Sequence, residues 1–380
     1  MSFKIIMLLI VLIVLYFIFF RGNNKKTTHK VSKTDSKNLK NQYLKVNPEH
    51  EKSSQSLDSN SNIIQNPREV PDGFLNFNVN IASDLNQEKT LEVINIAKRF
   101  KKPNPVLLML IKGAFEPHEL FDLIKADPKM TAKILNAVNS PLFALRTPIT
   151  SIQHAINFMG VNAIKNVVMQ ITVQDALKFE NPQQEKAYQK LSKASYMASA
   201  FCLLLAKELG KENAAELSTR CLLCYLGDMA MLSNEPLISD DYLLSNSLYE
   251  RVNKAQESYG FNSAIVGKVM AQEWSLPDSI INGIGNSLLT LSNASLGSDT
   301  SNDELQDNLL CYIACRIGDF FAFNHIKDIS SINGLGLNDG DPIEFYYLQN
   351  KINLSELQHI KALFNDSVFI RKVNTLLKTD

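Results

Sequence analysis

Ala126-Asp127-Pro128-Lys129-Met130-Thr131-Ala132-Lys133-Ile134-Leu135-Asn136-Ala137-Val138-Asn139-Ser140-Pro141 is the stretch whose reading decides the fold. Asp127 is a residue type that caps helix N-termini, and Pro128 suits the first helical position because its fixed φ costs nothing there. Met130, Ile134, Leu135 and Val138 then share one helical face. Outward from this helix, Thr150 or Ser151 can start a second one burying Ile152, Ala155, Ile156 and Met159, and Gly160 stops it. A third is expected from near Asn162 with Ile164, Val167, Val168 and Ile171 inward. Alternating strand patterns of useful length are missing, so the expected class is all-α.

The remainder of the chain divides by composition. Of 380 residues 45% are hydrophobic, enough for a sizeable core, while 39 basic and 39 acidic residues cancel. A neutral balance leaves no footprint for nucleic acid, which wants a basic excess. Five cysteines, an odd number, point to a reducing compartment and not to a disulfide framework.

Residues 5–20 are an unbroken apolar run between Lys4 and Arg21, just long enough to span a bilayer. A cleaved signal peptide fits less well, because Phe17-Ile18-Phe19-Phe20-Arg21 offers no small-residue cleavage site. Arg21, Lys25, Lys26, Lys30 and Lys33 outweigh Lys4, so the bulk of the chain is expected on the cytoplasmic side of a membrane crossed once. The expected organisation is a transmembrane anchor over 1–21, a flexible linker rich in Asn, Ser, Lys and Gln over 22–82, a helical domain over 83–295 and a C-terminal helical extension packed on it over 296–380. Ser83-Asp84 is expected to cap a helix burying Leu85, Leu91, Ile94, Ile96 and Ala97, and Asn353 or Ser355 to start the last helical stretch. The Phe345-Tyr346-Tyr347 cluster reads as core.

The stretch at 126–160 resembles the HD-related output domain, HDOD, through Asp127-Pro128, Thr131-Ala132, Ile134-Leu135, Val138-Asn139-Ser140, Ile149, Ser151-Ile152, Ala155-Ile156 and Gly160. A second block carries the resemblance further, through Tyr259-Gly260, Val266-Gly267, Trp274, Leu276-Pro277 and Ile284. Together they cover roughly residues 97–295. The resemblance implies a multi-helix bundle like that of the HD phosphohydrolases, a bacterial signalling role and, with the apolar run, a single-pass place in the bacterial inner membrane.

The resemblance also implies where a metal would be held, and there the residue types differ. Where HD hydrolases carry paired His-Asp, this chain reads Cys224-Tyr225; an earlier histidine position is Ala194, the Asp-His position is Asn262-Ser263, the His-His position is Asn286-Ser287, and a late aspartate position is Cys315. The six histidines, His29, His50, His118, His154, His325 and His359, fall elsewhere. Lacking imidazole and carboxylate at those places, the chain has no means of activating a metal-bound water, so no catalytic residue, metal or cofactor is expected. Asp228 reads as a surface or capping residue and His154 as a partly exposed one.

Three readings of function follow. The first is a membrane-tethered, non-catalytic HDOD module that works by binding a signalling protein, with a second copy of the chain as a further partner. The alternative keeps a nucleotide second messenger bound but uncleaved, for which Lys165, Lys193 and Lys268 are scattered. The third is residual hydrolysis by unorthodox ligands. Asn139, Ser140 and Pro141 form a rigid loop that is either structural or a docking point. Cys221-x-x-Cys224 and Cys311-x-x-x-Cys315 lie in apolar helical runs, where cysteine packs as a small hydrophobe; a sharper reading has Cys224 and Cys315 meeting in the former pocket, to bind a soft metal or sense oxidation.

Overall fold

The longest helix begins where Asn181 accepts a hydrogen bond from the Gln184 N–H and Pro182 takes the first helical position. The computed structural model describes residues 70–100, 105–113, 115–125, 127–140, 147–244, 246–293, 301–332, 342–355, 357 and 359–377. Among them there are helices and no strand. The α-helices are α1 (Gln87–Lys98), α2 (Pro105–Lys112), α3 (Pro117–Lys125), α4 (Pro128–Val138), α5 (Ile152–Met159), α6 (Val161–Ala176), α7 (Pro182–Glu208), α8 (Ala214–Leu223), α9 (Leu226–Asn234), α10 (Ser239–Leu243), α11 (Leu248–Tyr259), α12 (Ser263–Glu273), α13 (Asp278–Gly285), α14 (Asn302–Ala322), α15 (Leu348–Leu354), α16 (Ile360–Asn365) and α17 (Ser367–Leu377).

Helix α7 is the axis of the bundle, with α14 and α8 as its principal neighbours and α10, α9 and α17 around them. Ala194, Ala198, Phe201, Cys202 and Leu205 line its buried face. The approach of α14 depends on Gly318, where a Cβ would stand 2.6 Å from the Ala194 carbonyl. The crossing of α9 and α12 is tighter still, since a Cβ on Gly227 would lie 1.8 Å from the Ser263 carbonyl. At the α8–α13 contact, the space that a side chain on Gly283 would fill is taken by Arg220, whose Nε is 1.7 Å from the ideal Cβ position.

The helices α4 to α6 follow the local signals. The Asp127 carboxylate accepts from the Lys129 and Met130 N–H groups, and Pro128 opens α4. Ser151 caps α5 through the His154 N–H, and Gly160, at φ +84°, joins α5 to α6. Asn139 then ties the loop after α4: its Nδ2 donates to the Leu135 and Ile149 carbonyls at 2.8 Å each, and its Oδ1 accepts from the Ile149 N–H at 2.8 Å.

Several expectations need correction. The linker was expected to run to residue 82, yet Phe74, Phe77 and Val79 are buried. Phe74 lies against the rings of Tyr249, Tyr346 and Tyr347, at 5.1, 5.5 and 5.6 Å between centroids. These apolar anchors offset the entropy of ordering an otherwise polar segment. Asn86, and not Ser83 or Asp84, caps α1, because the latter two form a short 3₁₀ turn. Leu91 is accordingly exposed and Val93 is buried in its place. Ser355 ends α15 instead of starting a helix. Of the Phe345-Tyr346-Tyr347 cluster expected in the core, Phe345 and Tyr347 are buried and Tyr346 is half-buried against them. Among the described residues no helix is long and apolar enough to cross a membrane; the run at 5–20 and the linker up to 69 lie outside them, as do His29, His50 and Pro141.

Candidate functional site

The positions picked out by resemblance fall into two groups. Ala194, Cys224, Tyr225 and Cys315 come together where α7, the α8–α9 junction and α14 meet. Ala194 faces Gly318, and Cys224 and Cys315 are in thiol–thiol contact. The Tyr225 ring is buried, and its hydroxyl lies 2.8 Å from both the Cys315 carbonyl and Asp319 Oδ1, two acceptors for one proton. Burial, and after it the Asp319 carboxylate, push this phenol far above its usual range.

Asp319 is the hub. Its Oδ2 is 3.2 Å from Arg251 Nη2 and 3.0 Å from Arg316 Nη1, and all three side chains are nearly inaccessible to water. Burial works against the Arg316 charge, yet Asp319 and then Tyr225 outweigh it and hold its pKa above the usual arginine value. Arg251 also donates to the Asn246 carbonyl at 2.6 Å and lies over the rings of Tyr242 and Phe323, at 5.3 and 5.2 Å. The Tyr242 hydroxyl in turn donates to Asp228 Oδ1 at 2.8 Å, and the Ser263 side chain bonds the same carboxyl. The expected surface or capping role of Asp228 is therefore corrected: its carboxyl faces inward, and burial, opposed by Arg251, raises its pKa.

The second group serves other ends. Asn262 is fully buried, caps α12 through the Ile265 N–H, and donates to the Asn80 carbonyl and Gln256 Oε1 at 2.8 Å each. Its task is to hold the arm at 78–80 on α11 and α12. Asn286 is the C-cap of α13, and Ser287 Oγ donates back to the Ile284 carbonyl at 2.7 Å. His118, His154, His325 and His359 are all exposed.

Residues beyond the aligned positions complete the network: Asp228, Tyr242, Arg251, Arg316 and Asp319. One signal pointed to them. Arg316 and Asp319, spaced i, i+3, are the charged residues inside the apolar run Ile313-Ala314-Cys315-Arg316-Ile317-Gly318-Asp319-Phe320, and charges in such a run must be paired. Arg251 and Tyr242, by contrast, sit in polar sequence with nothing to mark them. Cys202 likewise escaped notice, although its sulfur joins those of Cys221 and Cys311, all within 4.8 Å of one another. Among the described residues this is the one group of three or more histidine, cysteine or carboxylate ligands with metal-binding spacing.

Residues 106–287 match the HDOD domain family. Among solved structures, the chain is similar to an HDOD domain protein of unknown function from Geobacter sulfurreducens, at 16% identity over 73% of this chain and 98% of that one, with a TM-score of 0.45. It is also similar to a candidate phosphohydrolase from Shewanella amazonensis SB2B (14% identity, 75% of this chain and 97% of that one, TM-score 0.45). A third similarity is to a candidate signal transduction protein from Marinobacter aquaeolei VT8 (14% identity, 80% of this chain and 64% of that one, TM-score 0.45). No curated protein matches in sequence.

Proposed function

Taking an HDOD domain over residues 106–287 as the premise, we propose that this chain is a non-catalytic signalling module, tethered to the inner membrane by residues 5–20, which acts by binding another protein at the cytoplasmic face. The observation that supports it is the Asp319 network. A divalent cation brought to that carboxylate would meet the guanidinium groups of Arg251 and Arg316, and the Tyr225 hydroxyl beside it already serves Asp319 and a main-chain carbonyl. These groups do not fit a dication: hard or borderline ions take oxygen and imidazole donors, and two fixed positive charges oppose them. The interior that a hydrolase would give to metal and water is given to a buried cluster in which two guanidiniums share one carboxylate.

The nucleotide reading draws less support. Lys165 donates to the Gly113 carbonyl at 3.2 Å, and the cavity between Gln170, Tyr188, Ser195, Leu222 and Met229 holds about 10 Å³, room for a single water. The test is a screen of phosphomonoesters, phosphodiesters and cyclic dinucleotides against the purified chain with added manganese. Turnover that disappears on chelation overturns the proposal. Calorimetric binding of a cyclic dinucleotide without turnover replaces it with the nucleotide reading, and capture of one protein by crosslinking that is lost when the 139–141 loop is altered supports it.

A further inference from the structure

All five cysteines of the chain gather in the core where α7, α8 and α14 cross, and all five are reduced and buried. Cys202, Cys221 and Cys311 come one from each helix, their sulfurs mutually within 4.8 Å. Cys315 touches Cys221 and links the triangle to Cys224. In the thiol form the group is weakly bonded: Cys221 Sγ donates to the Cys311 carbonyl and Cys311 Sγ to the Leu217 carbonyl, both at the long distance of 3.8 Å.

Apolar packing accounts for buried thiols, but not for their neighbour. Arg220 is 5% exposed, its Nε has no acceptor, and no carboxylate pairs with it among the described residues. Asn308 Oδ1 is its hydrogen-bond partner, and Asp307, a carboxylate that attracts it without contact, is paired with Lys211 at 3.3 Å. Once ionised, Cys311, Cys224 and Cys221 would stabilise its charge more than Asp307 does. A buried guanidinium with no carboxylate in direct contact is costly. The sulfurs are the groups placed to supply an anion.

We propose that Cys202, Cys221 and Cys311 form a three-sulfur site for monovalent copper, with Arg220 as the compensating cation. Donors that are all sulfur select soft ions, and zinc in structural sites wants four ligands in a tetrahedron, whereas this triangle offers three. Metal–sulfur bonds of about 2.3 Å around a trigonal ion put the sulfurs about 4 Å apart, so the helices close only slightly on the metal. All three thiols release their protons to solvent as copper enters, because a sulfur binds metal as thiolate. One copper and one guanidinium then offset two of the three thiolates, and without Arg220 the dry site would carry twice the uncompensated negative charge. This site stands apart from the Asp319 network and holds whether or not the domain hydrolyses anything.

The test uses the purified full chain, reduced and kept anaerobic, loaded with copper(I) as its acetonitrile complex and challenged with increasing bicinchoninate. The expected result is one copper per chain retained, an all-sulfur shell by X-ray absorption, and protection of Cys202, Cys221 and Cys311 from alkylation mapped by mass spectrometry. Cys202→Ser and Cys311→Ser should weaken retention by more than the loss of about 10–100-fold typical of changes outside a metal's ligand set, while Cys224→Ala should stay within that margin. Circular dichroism melting of the copper-free variants shows whether they fold; should they not, the wild-type copper count and sulfur shell decide alone. Wild-type protein that yields its copper as readily as Cys311→Ser, a shell containing nitrogen or oxygen, or displacement by equimolar zinc overturns the proposal.

Discussion

Replacing Tyr225 with phenylalanine removes one hydroxyl and leaves Asp319 Oδ1 and the Cys315 carbonyl without their donor in a dry interior. The expected loss is about 1–3 kcal/mol in urea unfolding. Asp319→Asn should cost more, about 3–5 kcal/mol, because two buried guanidiniums lose the one carboxylate they share. A pair of equal, sub-kilocalorie effects would show that the network is not the buried hub described above. Asp228 provides a pH signature. Its raised pKa means the folded chain binds that proton more readily than the unfolded chain, whose value is near 3.8. Its contribution to stability is therefore complete below the unfolded value and drains away as pH rises through the folded one. Asp228→Asn escapes that loss, so its melting temperature should gain on the wild type as pH rises above the unfolded value of 3.8; a constant gap would refute the assignment. At this scale the sequence told part of the story: charges stranded in α14 are visible, whereas Arg251 and Tyr242 become partners only when α10 and α11 are folded back onto α14.

Helix by helix, legibility depended on how local the cause is. Asp127, Pro128, Ser151 and Gly160 act within a few residues of where they stand, and the elements they bound lie where their chemistry puts them. Asp127→Ala should cost about 1 kcal/mol by chemical denaturation, the usual value of an N-cap. Ser355 and Ser83-Asp84 have capping chemistry too, but tertiary packing assigned them to a helix end and to a 3₁₀ turn. Glycines at helix crossings were opaque for the same reason: nothing adjacent in sequence announces that the backbone of α12 will rest on Gly227. Gly227→Ala should be far more damaging than a cap deletion, above about 3 kcal/mol, since the atom it meets is a carbonyl on a packed helix and not a flexible side-chain tip. If this variant unfolds at wild-type urea concentrations, α9 and α12 do not cross as closely as described.

Taken as a whole, the chain assigns its N-terminal arm to the body of the domain and not to the tether. A truncation beginning at Ser83 discards Phe74, Phe77 and Val79 and leaves Asn262 Nδ2 without the Asn80 carbonyl. Compared with a chain beginning at Gln65, it should lose more than about 3 kcal/mol, the cost of emptying an aromatic site in a core. Equal unfolding midpoints for the two lengths would return the arm to the tether. The arm eluded a compositional reading because its three anchors are spread through polar sequence, and their value comes from Tyr249, Tyr346 and Tyr347, which are remote along the chain. The all-helical class and the core helices α4 to α6 were readable from pattern, while the convergence of five cysteines and of the Asp319 network was a matter of topology.

The placement of Arg220 over Gly283 constrains how this protein can change over generations. Any side chain at 283 evicts a cation from the interior, so that site is frozen for as long as arginine is retained opposite it. A lineage that exchanges the arginine for something short and neutral unlocks the glycine. The reverse order passes through a broken ancestor, and the two positions should therefore drift as a ratchet, 220 leading and 283 following.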